Sequence, residues 1–341
     1  MNNDIEITLL SAEEIWGEWG VTNNNGKLEV LDRYGKAFAV TDLAILTGGI
    51  ILLQKGQSII FSNDPLEQRT GRFWTKSNNN NNVRIFSSEC PKISNISAGI
   101  STRTCTVRPV LILPPIVFSQ ITKNRVSGYN GTEEVEFCEY PQYVPSKDMQ
   151  MILENEYQKG HLKTTGKDYT FDRAKYYDYE QSFQPVKYVE YEYKSKKYIR
   201  IKANMYIDGS KLANGESYKN ENYVWVEVSP VVWLIDDNTR KLISKRGLLA
   251  GIRFNEEKAY DGVFENTEMY KYLHEHMIRD LLQGTNINEH IEVDSISNNE
   301  YKTLEEKIIA ELPKELQEEY LRELKSLIEE LQKENNKSNK K

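Results

Sequence analysis

The sequence predicts a mixed α+β fold of short helices and antiparallel sheets, extended at its C-terminus by amphipathic helices. Three observations carry this expectation. Alternating apolar residues mark a strand pair at 187–203, and a long β-rich run with a return strand marks another at 223–244. Helical patterns are short and bounded by capping residues, at 146–159 and 267–282. A leucine stripe at helical spacing occupies 301–335.

Residues 1–33 read as a lead-in. Ser11-Ala12-Glu13-Glu14 has the form of a capping box, with Ser11 as N-cap and Glu14 reaching back. Asn23-Asn24-Asn25-Gly26 is a turn. A short helix is expected from Thr41 to Leu46, ended by Gly48-Gly49. Within 50–115 no helical periodicity persists. The asparagine run 78–82 reads as a loop between strand pieces at 72–76 and 83–86. Residues 106–113 are the best strand of this region, and Pro114-Pro115 ends it by removing backbone donors.

Residues 116–145 read as a connection. The helix at 146–159 takes Ser146 as N-cap, Met149, Ile152, Leu153 and Tyr157 as its apolar face, and Gly160 as its stop. The hairpin at 187–203 turns at Lys194-Ser195-Lys196. The strand at 223–235 has a bend or bulge at Pro230 and returns through Asp236-Asp237-Asn238 to a strand at 241–244. A helix follows, capped by Asn266 or Thr267 and ended by Gly284. In the last segment Leu316, Leu324, Leu327 and Leu331 form a seam suited to packing on the chain itself or to homo-oligomerisation. Residues 336–341 are a polar tail.

Bulk composition excludes several classes. The 341 residues carry a formal charge of -7, so no excess of positive charge meets the phosphates of nucleic acid in general. The longest apolar run, 44–53, falls well short of the roughly 20 residues of a spanning helix, so no membrane insertion is expected. The first residues lack the basic and apolar regions of a signal peptide. A cytoplasmic location is expected, or a virion-associated one if a phage encodes the chain. Cys90, Cys105 and Cys138 have no metal-ligand spacing and read as buried reduced thiols, with a Cys90–Cys105 pair as the alternative. No metal or cofactor is expected.

Two segments carry a resemblance. The strand ending in Trp233-Leu234-Ile235, the return strand Lys241-Leu242-Ile243-Ser244 and the run from Phe264 to Leu273 resemble the opening half of a bacterial or phage domain. That domain is of the formylglycine-generating-enzyme, or sulfatase-modifying-factor, type. Thr41-Asp42-Leu43-Ala44, Gly71-Arg72-Phe73-Trp74 and Val107-Arg108-Pro109-Val110 resemble its closing half. The halves appear in swapped order. The resemblance implies a C-type-lectin-like fold, with 34–115 as closing half, 116–185 as a connection or insertion bearing one helix, 186–290 as hairpin and opening half, and 300–335 as C-terminal helices. If the halves form one domain, 107–113 and 224–235 share a sheet system. The terminal cysteine pair of the oxidases in that family is not matched, so the resemblance implies a fold more than an activity.

The function expected is therefore a non-enzymatic protein that binds an unknown protein or glycan ligand. An oxidase of the formylglycine-generating type and an intracellular scaffold using the C-terminal helix are the alternatives. In C-type-lectin-like proteins the stretch before the final strand forms the binding surface. That stretch makes Trp74, Lys76, Asn78, Asn80, Arg84 and Arg103 the candidate ligand residues. Arg108, Trp225 and Trp233 are read as structural, Arg108 pairing with a carboxylate to fix the terminal strand. Tryptophans on strands are core more often than ligand platforms, which applies to Trp74 as well. The tyrosine-rich run 169–198 is explained by half-buried hairpin faces, with a carbohydrate or protein platform as the sharper reading. His274 and His276 point about 200° apart on a helix and share no ligand face.

Overall fold

The computed structural model describes residues 5–12, 14, 40–52, 70–79, 82–87, 94–96, 103–128, 133–174, 181–255 and 260–285. The chain divides into two compact units, 1–285 and 286–341, and every described residue falls in the first. The leucine seam of 316–331, Asn80, Cys90 and the tyrosines at 176, 177 and 179 lie outside the described residues.

The architecture is mixed α+β, with mostly antiparallel strands and few short helices. The strands are β1 (Glu6–Thr8), β2 (Ile51–Leu52), β3 (Thr70–Asn79), β4 (Asn82–Ser87), β5 (Ser94–Ile96), β6 (Val110–Ile112), β7 (Val126–Ser127), β8 (Glu133–Tyr143), β9 (Lys163–Asp172), β10 (Pro185–Tyr193), β11 (Lys196–Lys202), β12 (Tyr223–Asp236) and β13 (Lys241–Ser244). The helices are α1 (Asp42–Leu46), α2 (Pro115–Ile121), α3 (Lys147–Gln158), α4 (Glu268–Tyr272) and α5 (Ile278–Leu282). Among the described residues the larger sheet runs β1-β6-β13-β12-β11-β10-β9, and β8 joins it on β12. The smaller sheet is β2-β3-β4-β5.

The long strand β12 organises the larger sheet. Its residues 227–234 pair with β8, 223–228 pair with β11, and 233–236 pair with β13. Residues 227–228 and 233–234 are each paired on both sides. Hence β8 occupies one edge of β12, while β11 and β13 share the other, one at each end. The register shifts between Pro230 and Val231, a bulge at the position where proline cannot donate to the ladder. Trp225 and Trp233 are both buried, and the Trp233 indole donates to the carbonyl of Phe137 at 2.7 Å.

The strand within 107–113, β6 at 110–112, lies in one sheet with β12, because β6 pairs with β13 and β13 with β12. Further bridges tie Phe73 to Thr106, Val107 to Leu249 and Val40 to Gly247. The Trp74 ring packs on Phe254 at 5.2 Å. Gly251 permits one close approach in this shared core. Its φ is +88°, and a Cβ there would stand 2.6 Å from the Thr47 carbonyl oxygen.

Local signals formed as expected. Ser11 and Glu14 exchange reciprocal hydrogen bonds: Glu14 N–H donates to Ser11 Oγ at 3.1 Å, and Ser11 N–H to Glu14 Oε2 at 2.7 Å. Ser146 and Thr267 each accept the N-capping hydrogen bond of their helix, and Thr41, expected as the first helical residue, does so for α1. The hairpin turn sets Lys194 and Ser195 at φ 51° and 62°, the left-handed conformations of a two-residue hairpin loop.

Two expectations need correction. The segment read as a connection or insertion with one helix, 116–185, holds two helices, α2 and α3, and the strands β7, β8 and β9 of the larger sheet. In β8, glutamates at 133, 134, 136 and 139, Pro141 and the bulges opposite Glu227 and Pro230 broke the alternation that marks a strand. The helix at 267–282 is interrupted by a π-turn, Leu273–Met277, between α4 and α5.

Candidate functional site

The candidate ligand residues of the β3–β4 region turn out to be tied into the protein. Trp74 and Arg103 are 2% and 0% exposed, so neither side chain reaches a ligand from outside. Arg103 pairs with buried Asp172 and donates to the carbonyls of Gly251, at 3.2 Å, and Gln181. Its long flexible cationic chain reads as a surface group in sequence; a carboxylate 69 positions away takes it inside. The Lys76 ammonium lies 4.0 Å from Glu14, and its backbone bonds Leu10 and Tyr260. Asn78 is exposed but donates to the Tyr260 carbonyl at 3.3 Å. Arg84 is half-buried, and its carbonyl accepts from Thr75. Arg108 donates to the carbonyl of Ser244 at 2.7 Å, fixing the approach to β6 against the end of β13.

A groove of about 750 Å³ opens elsewhere, between α3 and the start of β12. Its residues come from α3, from Arg200 on β11, from Tyr223 and Trp225 on β12, and from Tyr218, Glu221 and Asn222 in the loop before β12. Gln150, Glu154 and Gln158 recur every fourth position along α3, one step around the helix from the apolar series Met149, Leu153 and Tyr157. The apolar series packs with Trp225, Tyr191 and Tyr198 and locks the helix on the sheet. The polar series then faces the groove.

The groove's polar groups are ordered by direct contacts. Glu154 accepts from Arg200 Nε at 2.9 Å and Nη2 at 2.8 Å, from Gln158 at 2.8 Å and from the Trp225 indole at 3.1 Å. The Arg200 guanidinium holds the Glu154 carboxyl below the usual carboxylate range. The same guanidinium lies 3.7 Å from the centroid of the Tyr223 ring and 4.8 Å from that of Tyr157. At the opposite side Glu221 pairs with Lys202 at 2.5 Å.

Gln150 has a different task. β8 leaves β12 at Tyr143, opposite Glu227, and the chain turns into α3. The exposed edge of β12 is then closed by the Gln150 side chain, which donates to the Trp225 carbonyl at 2.6 Å and accepts from its N–H at 2.9 Å. Met151 and Tyr223 remain 58% and 52% exposed at the groove.

The tyrosines of the hairpin are accounted for by packing. Tyr169 is buried and donates to Glu190 at 2.7 Å, Tyr188 tilts against Phe171 at 5.3 Å, and Tyr191 meets Trp225 edge-on at 5.8 Å. Both histidines lie within the π-turn but meet different neighbours. His274 stacks on Tyr270 at 3.8 Å, while His276 packs near Phe183 at 5.4 Å. His276 borders a small cavity of about 160 Å³ with Asp172, Phe183, Arg253 and Glu268. Among the described residues no group of three or more His, Cys, Asp or Glu side chains converges on a metal position. Cys105 and Cys138 are buried free thiols. Burial pushes the Cys105 thiol up to about 12, which keeps it protonated at neutral pH.

Among the described residues no helix is long and apolar enough to cross a membrane. Comparisons with protein-family models, curated proteins and solved structures found no match.

The residues of the groove were missed in sequence because Glu154 and Arg200 stand 46 positions apart and share no local pattern. The polar series on α3 was the available signal.

Proposed function

We propose that the chain is a non-enzymatic binding protein with a C-type-lectin-like domain, and that its ligand seats in the groove between α3 and β12. The observation that carries this reading is the groove. Its volume, about 750 Å³, lies within the range of ligand sites. Most of its wall residues stand on α3, β11 and β12, which hold side chains more firmly than loops do, and Tyr218, Glu221 and Asn222 complete it from the loop before β12. The lectin-like assignment is supported by the mixed antiparallel architecture and by the sheet that β6 and β12 share.

The groove suits binding rather than acid–base chemistry. Glu154 already accepts four hydrogen bonds and Glu221 faces Lys202, so neither carboxylate is poised to move a proton.

Asn155 is exposed on α3 beside the groove, where a tryptophan fits the helix and fills the opening. The Asn155→Trp chain is expected to retain at least tenfold less material than the wild type from a mixed library of peptides and oligosaccharides. Its melting temperature should stay the same. Equal retention by both chains would place the site elsewhere.

A further inference from the structure

We propose that the groove recognises a neutral oligosaccharide without a metal ion, an inference that rests on the reading of the groove as the binding site. Three features of the groove lead there.

The first is charge. The Arg200 cation is matched by Glu154, and Glu221 is matched by Lys202. A charged ligand must compete with a pair already formed, and breaking a hydrogen-bonded pair leaves one partner unsatisfied. An uncharged ligand meets no such penalty. The same pairing occupies the carboxylates that a bridging cation would need.

The second is the closed strand edge. An extended peptide commonly adds to a sheet edge by main-chain hydrogen bonds. The stretch of β12 that β8 leaves uncovered beside the groove is bonded at Trp225 by the Gln150 amide, through both its N–H and its carbonyl. Strand addition is thereby blocked at this point.

The third is the set of groups still open. The side-chain amides of Asn155 and Asn222 line the groove and make no hydrogen bond to any described residue. Each offers donors and an acceptor, the complement of vicinal hydroxyls. Arg200 turns Nε and Nη2 to Glu154, so its Nη1 is a further donor. Tyr223 supplies a half-exposed aromatic ring, held in place by the guanidinium on its face. An aromatic ring flanked by amides matches a sugar, which has a C–H face and hydroxyl edges.

Calorimetric titration of the full chain tests this. The probes are β-linked hexasaccharides of glucose, mannose and N-acetylglucosamine, an acidic hexamer of galacturonate, and an uncharged peptide of similar length. At least one neutral hexasaccharide is expected to bind, with affinity unchanged by EDTA and nearly unchanged between low and high salt. Tyr223→Ala should weaken it at least tenfold and Tyr223→Phe less than threefold, because the ring and not the hydroxyl is used. Asn155→Trp should abolish it.

Binding of only the peptide or the galacturonate hexamer, lost in Asn155→Trp, overturns the ligand class and leaves the groove as the site. Binding that EDTA removes overturns the metal-free mode. Neutral saccharide binding that survives Asn155→Trp overturns the groove as the place where the saccharide is recognised. Failure of all five probes overturns the oligosaccharide proposal, while the library retention experiment still judges the groove.

Discussion

Replacing Arg103 by methionine, or Asp172 by leucine, is expected to destabilise the protein by about 3 to 5 kcal/mol in each case. Both side chains are buried, and desolvation acts on each. Burial pushes the Asp172 carboxyl up and the Arg103 guanidinium down, in each case against the attraction of its partner. The pair therefore adds little net stability, yet either charge left alone in the interior is costly. The two partners also organise their surroundings. Arg103 ties Gly251 and Gln181, and Asp172 accepts from the N–H groups of Ala174 at 2.9 Å and Gln184 at 3.0 Å. The double variant should lose clearly less than the sum of the singles, because no unpaired charge remains. It should not recover fully, because those two N–H groups lose their acceptor. Urea unfolding of the three variants measures this. Single losses under about 1 kcal/mol would mean that water reaches the pair.

Trp233→Ala should cost a similar amount, about 3 to 5 kcal/mol. The side chain is fully buried where β12 is paired on both sides, by β8 and by β13. Trp233→Phe separates packing from hydrogen bonding. It keeps most of the volume but removes the donor to the Phe137 carbonyl, and a loss of about 1 to 3 kcal/mol is expected from that unsatisfied acceptor. Thermal unfolding in parallel with the wild type is the check. Equal losses in the two variants would mean that the hydrogen bond dominates and the ring volume does not.

These two sites divide what sequence made legible from what it did not. Trp233 belongs to a long run rich in β-branched and aromatic residues, and its place in a strand follows from that composition. The caps at Ser11, Ser146 and Thr267 were legible because each is a contact over three residues, whereas Thr41, read as the first helical residue, is the N-cap of α1. Arg103 was misread because its partner is remote and nothing local marks a buried arginine. The strand β8 was hidden by its bulges and by glutamates that interrupt the expected apolar alternation. The groove depends on Gln150 meeting Trp225 and Glu154 meeting Arg200, contacts 75 and 46 positions apart. Side-chain amides closing a strand edge have no periodic signature.

The groove itself is tested most directly by the methyl resonance of Met151. Met151 is exposed at the groove, while Met205, Met269 and Met277 are buried away from solvent and serve as internal references. With the methionine methyl groups labelled, ligands retained by the wild-type chain are titrated in. Ligand binding in the groove predicts a saturable shift of the Met151 methyl, with the three buried methyls unmoved. Saturation of the ligand with the Met151 methyl unmoved would contradict it.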